Sequence, residues 1–304
     1  MSKARDFLGP YRLARLIRVG STCQVWEAVD DQKKERYALK VLRNDARGNK
    51  QATALLKFEY DVATSMAKND RVIQVYDYRV ESGNIAYLVM ELFSELNLKQ
   101  ALRRGPDDIA YLIEKIIEQA AEGLFFMHSK GWIHRDIKPD NFLVGHDGVT
   151  KLIDFTIAEK KRKGLSKLLY RSKLVQGTRS YMSPEQIRGQ ALDERADVYS
   201  FGCLLYESLT GKAPYTGSTP NDLLNKHLHA PIPSAVAANE NVTSEYADLI
   251  KQMLAKKPED RPSSMWDFLK ANKVTKTFKK IPRTPEVTVF DDIPSFKSPD
   301  QLTK

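Results

Sequence analysis

Two stretches of this sequence concentrate side chains that do chemistry. Residues 134–141 read HRDIKPDN and residues 151–156 read KLIDFT. They supply a carboxylate at Asp136, an ammonium at Lys138, an amide at Asn141 and a second carboxylate at Asp154. The four groups converge if residues 142–154 form a hairpin whose tip is His146, Asp147 and Gly148, a turn sequence. Asp136 can then orient a hydroxyl nucleophile, and Lys138 can meet a phosphoryl oxygen. Asn141 and Asp154 can hold hard cations through oxygen ligands. Those are the parts phosphoryl transfer needs, because its catalysis is mostly positioning and charge neutralisation. Any one of these residues alone reads equally well as a solvated surface group; eight positions at these spacings do not.

These side chains need elements to position them. Residues 11–17 alternate in polarity, residues 24–29 repeat the period of two and residues 37–42 follow, so all three read as strands. The turn between the first two carries Gly20, Ser21 and Thr22. Over residues 51–67 the period changes: Leu55, Leu56, Glu59, Val62, Ala63 and Met66 fall at helical spacing. Strand-like runs return at 72–76 and 85–90, the second continuous and apolar. A long helical pattern covers 107–130, opened by Asp107 and Asp108 as acidic first-turn residues. Short strand-sized runs lie at 142–144 and 151–155, and helical patterns dominate from 184 onward, at 197–210, 219–229, 243–255 and 263–271. Residues 272–304, with Pro282, Pro285, Pro294 and Pro299 and no sustained period, read as a mobile or loosely docked basic tail. The expected organisation is α+β in two lobes. A short extension over 1–10 precedes a small sheet-plus-helix lobe over 11–92 and a larger, mainly helical lobe over 93–271. A cleft between two such lobes is a natural ligand site.

Composition narrows the class. The chain has 304 residues, 42% apolar and 29% charged, with 15 Gly and 14 Pro, which excludes collagen, low complexity and disorder throughout. No run of 18 or more apolar residues occurs, so no transmembrane segment is expected, and residues 1–12 lack the apolar core of a signal peptide. Two cysteines, Cys23 and Cys203, make no disulfide framework, which fits a reducing compartment and a soluble cytoplasmic protein. The net charge is +9, and seven basic residues between Lys160 and Lys173 follow one another with no acid among them. No aromatic platform is interleaved with that cluster, so nucleic acid is not expected as a partner.

With these residues in hand, the sequence resembles the protein-kinase family from about residue 11 to 271. Residues 134–141 match its catalytic loop, and Ala38, Leu39 and Lys40 match its third-strand lysine motif. Residues 177–185, GTRSYMSPE, match the segment that binds the acceptor, while 197–202, DVYSFG, and Asp260, Arg261 and Pro262 match further landmarks. The spelling is closest to eukaryotic-like (Hanks-type) serine/threonine kinases of bacteria. The resemblance implies the two-lobed kinase fold, with a small antiparallel-sheet lobe, and ATP and Mg2+ as cofactors. It implies that Lys40 holds the α/β-phosphates and pairs with Glu59, that Asp136 is the catalytic base and that Lys138 contacts the γ-phosphate. Asn141 and Asp154 would bind the metal. Val25, Ala38 and Leu143 would sandwich adenine, Met90 would be the gatekeeper, and the hinge would run from Glu91 to Phe93. Arg18, Val19 and Gly20 would border the phosphates, Thr178 would belong to the substrate segment, and Glu185 with Arg261 would form a buried structural ion pair. Glu59 is preferred over Asp61 because the following helical positions, Val62, Ala63 and Met66, are apolar, whereas those after Asp61 are polar.

Two departures stand out. The pattern G-x-G-x-x-G-x-V aligns with residues 18–25, RVGSTCQV, so only its middle glycine remains. Arg18 and Cys23 stiffen a loop whose backbone amides must approach phosphate, although Arg18 can itself meet one. The family's D-F-G is here Asp154, Phe155 and Thr156, which restricts flipping of that segment. The expected function is transfer of the ATP γ-phosphoryl group to Ser/Thr hydroxyls of protein substrates. The alternative is a pseudokinase that binds nucleotide or acts as a scaffold. Arg135 before the catalytic aspartate suits control by phosphorylation of the 160–176 loop, with Ser172 the candidate site, by an upstream kinase or by the chain itself.

Overall fold

The computed structural model describes residues 7–162 and 176–284; Ser166, Tyr170 and Ser172 lie outside the described residues. Six strands form one antiparallel sheet: β1 (Phe7–Leu8), β2 (Tyr11–Val19), β3 (Cys23–Asp30), β4 (Glu35–Leu42), β5 (Val75–Glu81) and β6 (Ile85–Met90), in the order β1-β2-β3-β4-β6-β5. Helix α1 (Lys50–Ser65) starts where the Asn49 side chain accepts the amides of Gln51 and Ala52. Its Leu56 packs with Leu42, Ala86 and Leu88, so the apolar stripe of the helix covers one face of the sheet. The opposite face buries Tyr11, Ala28, Leu39, Val41, Tyr87 and Val89.

The run expected as a strand over 72–76 is divided. Strand β5 begins at Val75, while Val72 bridges Leu152, Ile73 donates to the Leu152 carbonyl at 3.0 Å and Leu152 donates to Arg71 at 2.8 Å. The first half of the run serves to join the sheet lobe to the helical lobe. Its backbone groups are satisfied across that junction rather than within the sheet.

The large lobe opens with β7 (Leu96–Asn97) and α2 (Leu98–Arg104), and the helical pattern at 107–130 divides into α3 (Pro106–Ala110) and α4 (Ile113–Ser129). Strand β8 (Trp132–Ile133) leads into residues 134–141. Strands β9 (Phe142–Val144) and β10 (Thr150–Leu152) make the expected hairpin, and β11 (Glu159–Lys160) pairs back with β8. At the hairpin tip Gly148 sits at φ +80°, a left-handed position that glycine adopts freely, and Gly145 donates to Val149 at 2.7 Å. The helix Glu194–Thr210 runs through the centre of this lobe and is buried along most of its length. It packs with α4 and the helices Ser244–Met253 and Met265–Val274 around Phe142, Phe155, Phe201 and Phe268. That last helix passes the expected boundary at 271. Beyond it Phe278 is 4% exposed and bridges Val242, and Lys279 donates to Asn241 at 2.7 Å, so the start of the tail lies against the lobe. Among the described residues, no helix is long and apolar enough to cross a membrane.

Candidate active site

A cavity of about 690 Å³ opens between the two lobes. Val25, Ala38, Met90, Glu91, Phe93 and Leu143 line one end, and Arg18, Gly20, Cys23, Lys40, Glu59 and Asp154 line the other. The register explains the apolar end: Ala38 on β4 stands opposite Met90 on β6 and Lys40 opposite Val25 on β3, so neighbouring strands present the same face. Leu143 comes from β9, on the large-lobe side. The Glu91 amide is committed to the Gln74 carbonyl at 2.9 Å and its carboxylate to Lys151 at 2.8 Å. The Phe93 amide has no hydrogen-bond partner among the described residues.

At the polar end, Lys40 Nζ donates to Glu59 Oε2 at 2.6 Å and Oε1 at 2.9 Å, and reaches Asp154 Oδ1 at 3.4 Å. Glu59 is 3% exposed on the inner face of α1. Asp61, two positions on, is exposed on the outer face and pairs with Lys57 one turn back. Burial alone would pull the Lys40 ammonium down, but the Asp154 and Glu59 carboxylates outweigh it and hold the group protonated, well above the ordinary lysine value. Burial likewise pushes Asp154 up, yet Lys40 and the Thr156 hydroxyl bring it below the usual carboxylate range. Asp154 adopts φ +68°, and Thr156 Oγ1 donates to its Oδ1 at 2.5 Å. The threonine that replaces a family glycine therefore holds the carboxylate it follows.

Across the cleft, Asp136 is the centre of a hydrogen-bonded group. Its carboxylate accepts Lys138 Nζ at 2.6 Å, the Thr178 amide at 2.9 Å and the Thr178 hydroxyl at 2.8 Å. Lys138 also donates to Thr178 Oγ1 at 2.7 Å. Asn141 Nδ2 donates to the Asp136 carbonyl at 2.8 Å, leaving its Oδ1 without a partner among the described residues. Asn141 itself is 3% exposed and does not line the cavity. His134 is a packing residue: fully buried, it meets the Phe155 ring edge-on at 5.8 Å and its Nε2 lies 3.1 Å from the Ile153 carbonyl.

Sequence reasoning missed what aims this loop. The Asp197 carboxylate accepts the amides of His134 at 2.7 Å and Arg135 at 2.9 Å, and lies 2.8 Å from His128 Nε2. Those bonds steady a backbone that passes through φ +70° at Arg135. Gln186 adds a bond from Nε2 to the Arg135 carbonyl at 2.9 Å. The signal was present in DVYSFG, a recognised landmark to which no role was attached. Val19 stands apart from the other expected phosphate neighbours: it is 54% exposed and does not line the cavity. Strand alternation turns it outward when Arg18 turns in. Gly20 donates to the Cys23 carbonyl at 2.8 Å, and Arg43 ties the same turn through Gly20 O at 3.2 Å and Thr22 O at 2.9 Å. Cys23 lines the cavity, but burial pushes its thiol up, away from the reactive thiolate.

Glu185 and Arg261 form a fully paired ion pair, Nη1–Oε1 at 2.7 Å and Nη2–Oε2 at 2.9 Å, with Arg261 also donating to the carbonyls of Ala255, Arg195 and Lys256. It anchors the end of the 177–185 segment to the large lobe.

Comparison with known proteins agrees with this arrangement. The protein kinase domain family matches residues 11–274. The serine/threonine-protein kinase PknB of Mycobacterium tuberculosis is 34% identical over 257 residues, covering 83% of this chain and 40% of that protein. A probable serine/threonine-protein kinase of Clostridium acetobutylicum is 34% identical over 251 residues, covering 83% of this chain and 37% of that one. PknA of Mycobacterium tuberculosis is 32% identical over 280 residues, 90% of this chain and 63% of its own length. The chain thus spans about two-fifths of the length of the first two relatives and less than two-thirds of the third. With its matched domain, its two lobes and the charged cleft between them, the chain belongs to the protein kinase family.

Proposed function

We propose that the chain is a serine/threonine protein kinase that transfers the γ-phosphoryl group of ATP to hydroxyls of protein substrates. One observation carries this reading: Lys40 is bonded to Glu59 and reaches Asp154 on one side of the cleft, while Asp136, Lys138 and Thr178 are bonded together on the other. Adenine would lie between Val25 and Ala38 above and Leu143 below, beside Met90, and the free Phe93 amide supports a hinge contact. Lys40, kept protonated, would meet the α/β-phosphates. Asp136 would orient the acceptor hydroxyl and take its proton as the new oxygen–phosphorus bond forms and the bond to the ADP oxygen breaks. Lys138 would neutralise charge on the transferred group, and its bond to Thr178 Oγ1 suits a Ser/Thr acceptor segment.

Asn141 Oδ1 and the ionised Asp154 carboxylate are hard oxygen donors, and among the described residues no cluster of three or more His, Cys, Asp or Glu is placed to hold a metal. Such a donor set fits Mg2+, which takes one or two protein oxygens and completes its shell with phosphate and water. Held by Asn141 and Asp154, it would supply neutralisation of the β- and γ-phosphates.

Control by phosphorylation at Ser172 belongs to the same reading, whether by an upstream kinase or by the chain itself. Arg135, paired with Glu159 at 3.2 Å and with its Nε buried and unbonded, is the cation such a phosphate would engage. A second reading, a pseudokinase, is favoured by the turn at 20–23, whose only glycine amide is already bonded. Peptides carrying Ser, Thr or Tyr, incubated with the chain and Mg-ATP, separate these readings. Phosphate on Ser and Thr but not Tyr, lost when Mg2+ is chelated, is the expected result. ATP binding without transfer to any peptide would establish the second reading instead.

A further inference from the structure

Strand β2 ends with an arginine turned into the cleft. Arg18 stands opposite Val25 on β3 and lines the cavity together with Gly20, Lys40 and Asp154. Two other β2 arginines are already paired: Arg12 with Asp31 at 2.9 Å, and Arg15, which also borders the cavity, with Glu27 at 3.1 Å. The Arg18 side chain has no hydrogen bond and no ion pair among the described residues. Its guanidinium is partly withdrawn from water, which lowers its pKa, and the charges it senses are two large-lobe carboxylates, Asp140 and Asp154. The other cations at this end of the cleft are engaged, Lys40 by Glu59 and Lys138 by Asp136.

A partly desolvated guanidinium without a partner is an incomplete site, and its planar fork of donors matches phosphate oxygens. In the turn beside it the amide of Gly20, the one glycine left of the family's loop pattern, is spent on Cys23 O. We infer that Arg18 is a phosphate-binding residue: its side chain grips the terminal phosphates of the nucleotide in place of the backbone amides of a glycine-rich loop. Because it shares the cavity with Lys40 and Asp154 and senses the charge of Asp154, it would serve the terminal phosphates rather than adenine. The inference rests on the nucleotide-binding reading proposed above.

Titration of the full chain with ATP, ADP and adenosine in the presence of Mg2+, for the wild type, Arg18→Ala and Arg18→Gly, tests it. Loss of a charge-assisted phosphate contact should weaken ATP binding roughly tenfold or more in both variants, weaken ADP less and leave adenosine unchanged. Arg18→Gly matters because it restores the glycine: ATP binding equal to or tighter than wild type would overturn the inference. Equal losses for all three ligands would also overturn it, as the mark of a merely structural residue. A wild type that fails to bind ATP more tightly than adenosine would instead refute the nucleotide reading, and the role of Arg18 with it.

Discussion

The two walls of the cleft are built by different means. On the large-lobe side, functional groups are fixed by bonds from far along the chain: Asp136 by Thr178, the amides of His134 and Arg135 by Asp197, and the Arg135 carbonyl by Gln186. On the small-lobe side, the turn at 20–23 is held locally, by the Gly20–Cys23 bond and by Arg43, and the side chain of the neighbouring Arg18 is unpaired among the described residues. A carboxylate that must take a proton at one point needs a preorganised frame. A side chain that follows a ligand does not. The family's pattern is accordingly complete at 134–141 and altered at 18–23, where a long arginine stands in a position usually occupied by glycine.

If the large lobe is the rigid partner, its buried ion pair should be costly to break. Arg261→Ala leaves Glu185 charged and buried, and stability should fall by about 3–5 kcal/mol, read as a lowered denaturation midpoint. A loss under 1 kcal/mol would mean that the 177–185 segment is anchored by other contacts.

The same rigidity predicts an acid weakness. His227 is fully buried, and burial lowers its pKa from 6.5 to about 4. The unfolded chain therefore binds this proton first. Its contribution is complete above pH 6.5 and fades as pH falls toward 4, by roughly 3 kcal/mol. Unfolding measured across that interval should show the slope, and His227→Phe should flatten it. A slope that survives in the variant would assign it to other groups.

The two walls meet where Lys40, paired with Glu59 on the small-lobe side, reaches Asp154 of the large lobe at 3.4 Å. Glu59→Gln removes the carboxylate that positions Lys40, and turnover should fall roughly tenfold to a hundredfold through loss of charge-assisted bonding. Asp61→Asn, on the outer face, should leave turnover unchanged and stability within about 0.5 kcal/mol. A reversal of the two would place the wrong acid in the cleft.

The smallest effect belongs to the small-lobe turn. Cys23→Gly returns backbone freedom beside Gly20 and should raise nucleotide affinity roughly two- to fivefold by titration. No change, or a loss, would show that the turn is limited by Arg43 rather than by its lack of glycine.

Much of the site was legible because its chemistry is local in sequence. Residues 134–141 and 151–156 carry the acids, the amide and the lysine within one loop and one hairpin, and the hairpin tip announces itself by turn residues. Glu59 was distinguishable from Asp61 because a helix face is periodic. What escaped was non-local or irregular. Asp197 acts on residues more than 60 positions earlier, which no local period reveals. The β2–β3 ladder shifts register twice, between Leu13 and Arg15 and between Leu16 and Arg18, and the smooth alternation over 11–17 announces neither. Val72 and Ile73 look like the start of a strand because they are apolar, yet their partner is Leu152. The break between α3 and α4 left no mark in a pattern that stays helical on both sides.

The central claim is that the group around Asp136 performs phosphoryl transfer. The most direct measurement is the mass of phosphate incorporated into the chain and a pool of Ser/Thr peptides after incubation with Mg-ATP, for wild type against Asp136→Asn. The account predicts incorporation by the wild type and a rate lower on the order of 10³-fold in the variant, with ATP affinity preserved. Equal incorporation in both, or none in the wild type while ATP still binds, would contradict it.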